Sequence, residues 1–111
     1  MPMTFTGNGT PLQKLEALRT LAEYLELSLE MGGCPVMMRP RFRRYVMCVG
    51  NPAGLEDDLQ RYGTIEKVLA EEILQCTHAG INCLEIDGQP YRFIRSFANV
   101  ARHGVVVFAP T

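Results

Sequence analysis

The sequence predicts a single α+β domain, with a sheet of about four mainly antiparallel strands and two main helices packed on one face, in the order α-β-α-β-β-β. Three observations point there. Apolar residues recur at spacings of three and four in two blocks before Gly80. After Gly80 they change to short runs broken by turn residues. The chain has 111 residues, of which 47% are hydrophobic and 21% charged, enough for one core and too few for two.

Residues 1–9 hold Pro, Thr, Gly and Asn around Phe5 and two methionines and are expected to form a flexible N-terminal arm, with the domain occupying 10–111. Thr10 suits an N-cap, Pro11 the first helical position, and Gln13 the return hydrogen bond of a capping box. Leu12, Leu15, Leu18, Ala22, Leu25 and Leu29 then mark one stripe of a helix that runs to about Met31 and stops at Gly32-Gly33. Leu21, Tyr24, Leu27 and Met31 add a second apolar face, so the helix is expected to be covered on two sides or shared with a second copy.

Cys34–Pro40 is expected to be irregular because Pro35 and Pro40 block a helix. A strand follows from about Phe42 to Val49, rich in aromatic and β-branched residues. Asn51-Pro52 suggests a short helix through Leu55 and Leu59 to Gly63. A second main helix is expected from Thr64, with Ile65, Val68, Leu69, Ile73 and Cys76 inward and Glu66, Lys67, Glu71 and Glu72 outward, ending by Gly80. Ile81–Ile86 and Tyr91–Phe97 read as a hairpin around Asp87-Gly88, and a reversal at Arg102-His103-Gly104 leads to a last strand, Val105–Ala109.

Eleven basic and twelve acidic residues leave a formal charge of -1, which indicates no polyanion binder by bulk charge. Charge is nevertheless segregated. Residues 32–51 carry about +4, and residues 52–79 about -4. Arg39, Arg41, Arg43 and Arg44 interleave with Phe42 and Tyr45, next to Met37 and Met38. Arginine, tyrosine and methionine are the residue types enriched at protein interfaces, which makes Met37, Met38, Arg39, Arg41, Arg43, Arg44 and Tyr45 the candidate partner- or anion-binding residues.

The same guanidinium groups, with Arg92, Arg95 and Arg102, suit nucleic-acid phosphates. No helix-turn-helix, zinc-finger or aromatic RNP pattern accompanies them. A third reading places a small-molecule or catalytic pocket between helix and sheet, lined by Tyr45, Met47, Phe93 and His103. Cys34, Cys48, Cys76, Cys83, His78 and His103 have the atoms zinc needs, but not the paired spacing of a structural site. Glu56-Asp57-Asp58 reads as the acidic first turn of a helix rather than a catalytic cluster.

No secretory pattern or apolar run of membrane-spanning length is present, so the cysteines are expected to be reduced and the protein cytoplasmic, away from the membrane. These features favour binding over catalysis. The expectation is a small accessory protein that acts through a protein-protein interface, with itself as a homodimer or with another protein, and needs no metal or cofactor.

Overall fold

Sheet topology decides which distant residues become neighbours. The computed structural model describes residues 11–39, 44–53, 59–100 and 102–111. Helix α1 (Pro11–Met31) is followed by strands β1 (Cys34–Met38), β2 (Arg44–Gly50) and β3 (Leu59–Glu66). Helix α2 (Lys67–Cys76) then leads to β4 (Gly80–Ile86), β5 (Gln89–Val100) and β6 (His103–Pro110). The strands form one six-stranded sheet in the order β3-β2-β1-β6-β5-β4, with every neighbouring pair antiparallel. Pairing of β1 with β6 joins an N-terminal three-strand meander to a C-terminal one.

Helix α1 ends as its glycines predict. Gly32 takes a positive φ of 78°, and the amides of Gly32 and Gly33 both donate to the Ser28 carbonyl, at 2.8 and 3.1 Å. The bond from Gly33 is the long closure of a Schellman-type cap. Gly33 has a second reason to lack a side chain: a Cβ there would stand 2.8 Å from Cα of Gly50, on the adjoining end of β2. The deepest line of α1 is Ala17, Leu21, Leu25 and Ser28, flanked by Ala22. The expected stripe is therefore rotated, for Leu12 and Leu29 lie in solvent while Leu15 and Leu18 are half-buried.

Both helices cover one face of the sheet. Alternation along the strands sends Met37, Tyr45, Met47, Ile65, Phe93 and Phe108 to that face, where they pack with Leu21, Leu25, Ala70 and Ile73. Phe93 and Phe108 meet with ring centroids 5.9 Å apart at a tilted angle of 58°. The opposite face carries a second apolar cluster of Val36, Cys48, Val100, Val105 and Val107, with Met38, Val46 and Leu59 alongside.

The strands and the segments between them depart from the sequence expectations. The sheet has six strands, not about four. Cys34–Met38 is β1 rather than irregular chain; Pro35 is tolerated because it precedes Val36–Met38, the stretch that pairs with β6. Leu59–Gly63 is not the end of a short helix but the start of β3, and residues 54–58 of that expected helix lie outside the described residues. Asn51 accepts from the Ala53 amide at 3.0 Å, a bond that Asx turns and helix N-caps share.

Helix α2 begins at Lys67, so Ile65 belongs to β3; Val68 points to solvent and Glu72, expected outside, is buried. The C-terminal hairpin falls where the sequence places it, with Asp87 and Gly88 at φ of 52° and 81° between Ile86 and Gln89. The arm 1–9 and the Thr10 cap lie outside the described residues.

Candidate functional site

A cleft of about 590 Å³ opens where β1 ends, β2 begins and the β5–β6 hairpin turns. Its lining combines three basic side chains, Arg39, Arg102 and His103, with Met37, Leu74, Phe97 and Val106. No acidic residue lines it among the described residues. Such a volume is typical of ligand sites.

Each part is positioned by local structure. Arg95, Phe97 and Asn99 fall on one face of β5, the face of buried Phe93, and Phe97 keeps 69% of its surface exposed. Arg39, just beyond β1, hydrogen-bonds the Tyr45 hydroxyl at the start of β2. That hydroxyl, with Glu71 further off, holds the Arg39 guanidinium above its ordinary pKa, so it is fully cationic. Arg102 sits in the tight turn joining Val100 to His103, at a positive φ of 69°.

Arg95 organises the wall. Its Nη1 donates to the carbonyls of Leu74 and Thr77 and to Oγ1 of Thr77, each at 2.9 Å, and so closes the C-terminal end of α2. Its guanidinium carbon also lies 6.0 Å from the Phe97 ring centroid. Burial pulls the Arg95 pKa below the usual guanidinium value. Beyond α2, buried Asn82 pins the link to β4: its side chain donates to the carbonyls of His78 and Gly80 and accepts from the His78 amide.

The arginine-rich segment is divided rather than gathered. Met37, Arg39 and Tyr45 line the basic cleft, whereas Met38 packs on the opposite sheet face. Arg44 lines a different cleft, of about 450 Å³, among Glu16, Glu23, Glu66 and Glu72, and reaches Oγ1 of Thr64 at 3.5 Å. Arg41 and Arg43 lie outside the described residues. Of the pocket residues expected between helix and sheet, Tyr45 and His103 do meet in the cleft, while Met47 and Phe93 belong to the core. Phe97, Asn99 and Leu74 were missed by sequence reasoning. The only available signal was an aromatic and an amide at alternate positions of a strand.

Cys34, Cys48, Cys76 and Cys83 are free thiols. The Cys76 thiol donates to Glu72 at 3.6 Å and is pushed up in pKa, first by burial and then by that carboxylate. Among the described residues no group of His, Cys, Asp or Glu is arranged to hold a metal ion, and no helix is long and apolar enough to cross a membrane. With the geometry in place, the class defined is an α+β domain bearing a basic, aromatic-rimmed cleft. No protein-family model matches the sequence, and no curated protein matches it.

Proposed function

We propose that the protein is a non-catalytic binding protein that engages a protein partner through the cleft between β1, β2 and the β5–β6 hairpin. The observation that carries this reading is Phe97, 69% exposed beside Arg39, Arg102 and His103. A large aromatic and arginines on one rim are the usual anchors of a protein interface. Phe97 lines the cleft yet keeps most of its surface open, which favours a contact that spreads over the rim. The chemistry of the lining also favours binding over catalysis: among the described residues His103 shares the cleft with cations, apolar groups and Asn99, and no carboxylate lines it to orient a general base.

Arg39, Arg44, Arg95 and Arg102 do not converge on one surface, which favours this reading over nucleic-acid binding. Arg39 and Arg102 share the cleft, Arg44 faces glutamates, and Arg95 is committed to α2. A nucleic-acid site would instead need a continuous basic track.

Site-specific photocrosslinking tests the proposal in cells. A benzoyl-phenylalanine at position 97 is expected to give a discrete adduct, lost when Arg39 and Arg102 are replaced by glutamine and glycine. The same probe at Leu12, equally exposed, is expected to give none. Equal adducts at both positions, or none at 97, would overturn the proposal. An adduct with the mass of two chains would identify the partner as a second copy.

A further inference from the structure

We infer that the cleft recognises an acidic, apolar-containing peptide segment, and that Arg102 is held in a left-handed turn for this contact at the expense of fold stability. The inference rests on the binding role proposed above and names the chemistry of the partner.

The molecule contains its own comparison. Two tight hairpin turns have the same length, one between Ile86 and Gln89 and one between Val100 and His103. The first uses Asp87-Gly88, the pair such turns favour, with glycine at φ of 81°. At the corresponding position the second places Arg102, at φ of 69°. A long side chain there is disfavoured, since its Cβ crowds the following carbonyl. The backbone geometry at Arg102 is the one glycine adopts freely, so it does not by itself call for arginine. What arginine adds is a cation on the rim of the cleft, facing the site shared by Arg39 and His103. A disfavoured backbone state at a binding surface is a sign of function.

Charge selects the partner. The cleft presents cations with no described acidic lining, and guanidinium groups bind carboxylates through paired hydrogen bonds. Between the cations, Leu74, Phe97 and Val106 offer apolar surface suited to side chains of an extended peptide, over the buried floor at Met37. The other large cleft, lined by Glu16, Glu23, Glu66 and Glu72 around Arg44, repels the same segment. Of these two clefts, only the first suits an acidic segment, and the contrast between them favours one orientation of the partner.

The test is a titration of isotope-labelled full-length protein, followed by amide chemical shifts. The probes are a capped peptide alternating glutamate and leucine, its lysine counterpart, and a single-stranded oligonucleotide. The glutamate peptide is expected to shift the amides of Asn99, His103, Gly104 and Val106 saturably, and the lysine peptide to leave them unmoved. Arg102→Gly is expected to keep the fold, with a thermal midpoint no lower than the parent's, and to weaken glutamate-peptide binding roughly tenfold. Arg39→Gln, which leaves the turn unaltered, is expected to weaken it by a comparable factor.

Equal shifts with the lysine peptide would overturn the charge assignment while leaving the partner-binding role intact. Preferential shifts with the oligonucleotide would overturn both. Arg102→Gly with parental affinity, or with a lowered midpoint, would overturn the role given to Arg102. Absence of shifts with every probe would overturn the acidic-peptide inference, and the Phe97 crosslink then decides the fate of the wider reading.

Discussion

Replacing Arg95 with methionine removes the guanidinium while retaining much of the stem's packing, and the cost can be worked from its contacts. Nη1 stands 2.9 Å from three acceptors, the carbonyls of Leu74 and Thr77 and the hydroxyl of Thr77. One amino group carries two hydrogens, so the three contacts amount to about two full charge-assisted bonds, each contributing roughly 1.5–3 kcal/mol. Against this stands the desolvation that lowers the Arg95 pKa, and water can reach part of the vacated helix end. The net expectation is a loss of roughly 2–3 kcal/mol, a large share of the 5–15 kcal/mol typical of a domain. Urea unfolding is the assay. The midpoint should fall with an unchanged denaturant slope, and exchange of amides in the last turn of α2 should quicken. A loss below about 0.5 kcal/mol, the level of an ordinary surface substitution, would refute the view that Arg95 closes this helix.

Three further outcomes are expected. Gly33→Ala should destabilise the protein by roughly 1–3 kcal/mol in the same urea experiment, because the new Cβ meets backbone of Gly50 at 2.8 Å and one strand end must shift. Under native conditions at pH 8, iodoacetamide should modify exposed Cys83 on the order of ten times faster than Cys48, with the difference lost in urea. Burial shields Cys48 and pushes its pKa up, against a smaller lowering by Arg61. Asp87, paired with Arg19 through contacts of 2.8 and 3.0 Å, has its pKa drawn below 3.8, chiefly by the Arg19 hydrogen bond. Its contribution is therefore complete above the ordinary aspartate range and lost as pH falls through the lowered value. The stability gap between the parent and Asp87→Asn should be present at neutral pH and close in acid, whereas a constant gap would show that the ion pair is not its cause.

The parts of the fold legible in sequence are those where local chemistry and tertiary packing agree. Pro11 and Gly32-Gly33 bound α1 because the first helical turn has no use for the proline N–H and the last needs a residue at positive φ. Asp87-Gly88 marks its hairpin for the same kind of reason. Elsewhere the two levels part. Gly63 reads as a helix stop, yet it lies in β3, where a Cβ would stand 3.1 Å from the Tyr24 hydroxyl of α1. Strand β3 itself lies at the sheet edge and keeps most of its residues in solvent, so it lacks the apolar alternation by which strands are recognised.

The candidate site shows why composition and local runs say less about binding than about folding. Arg39, Phe97, Arg102 and His103 carry no shared spacing; β1 pairing with β6, and β6 with β5, brings them together. Arg39 and Arg44, by contrast, are near neighbours in sequence and line clefts of opposite character. Side chains five positions apart have no reason to share an environment when they fall at the ends of different strands. The signal that could have pointed to Arg102 was its place in a turn where glycine or asparagine is expected. A long side chain at positive φ is the observation from which the proposed contact starts. In this fold the nearest feature able to use a guanidinium is the cleft it borders.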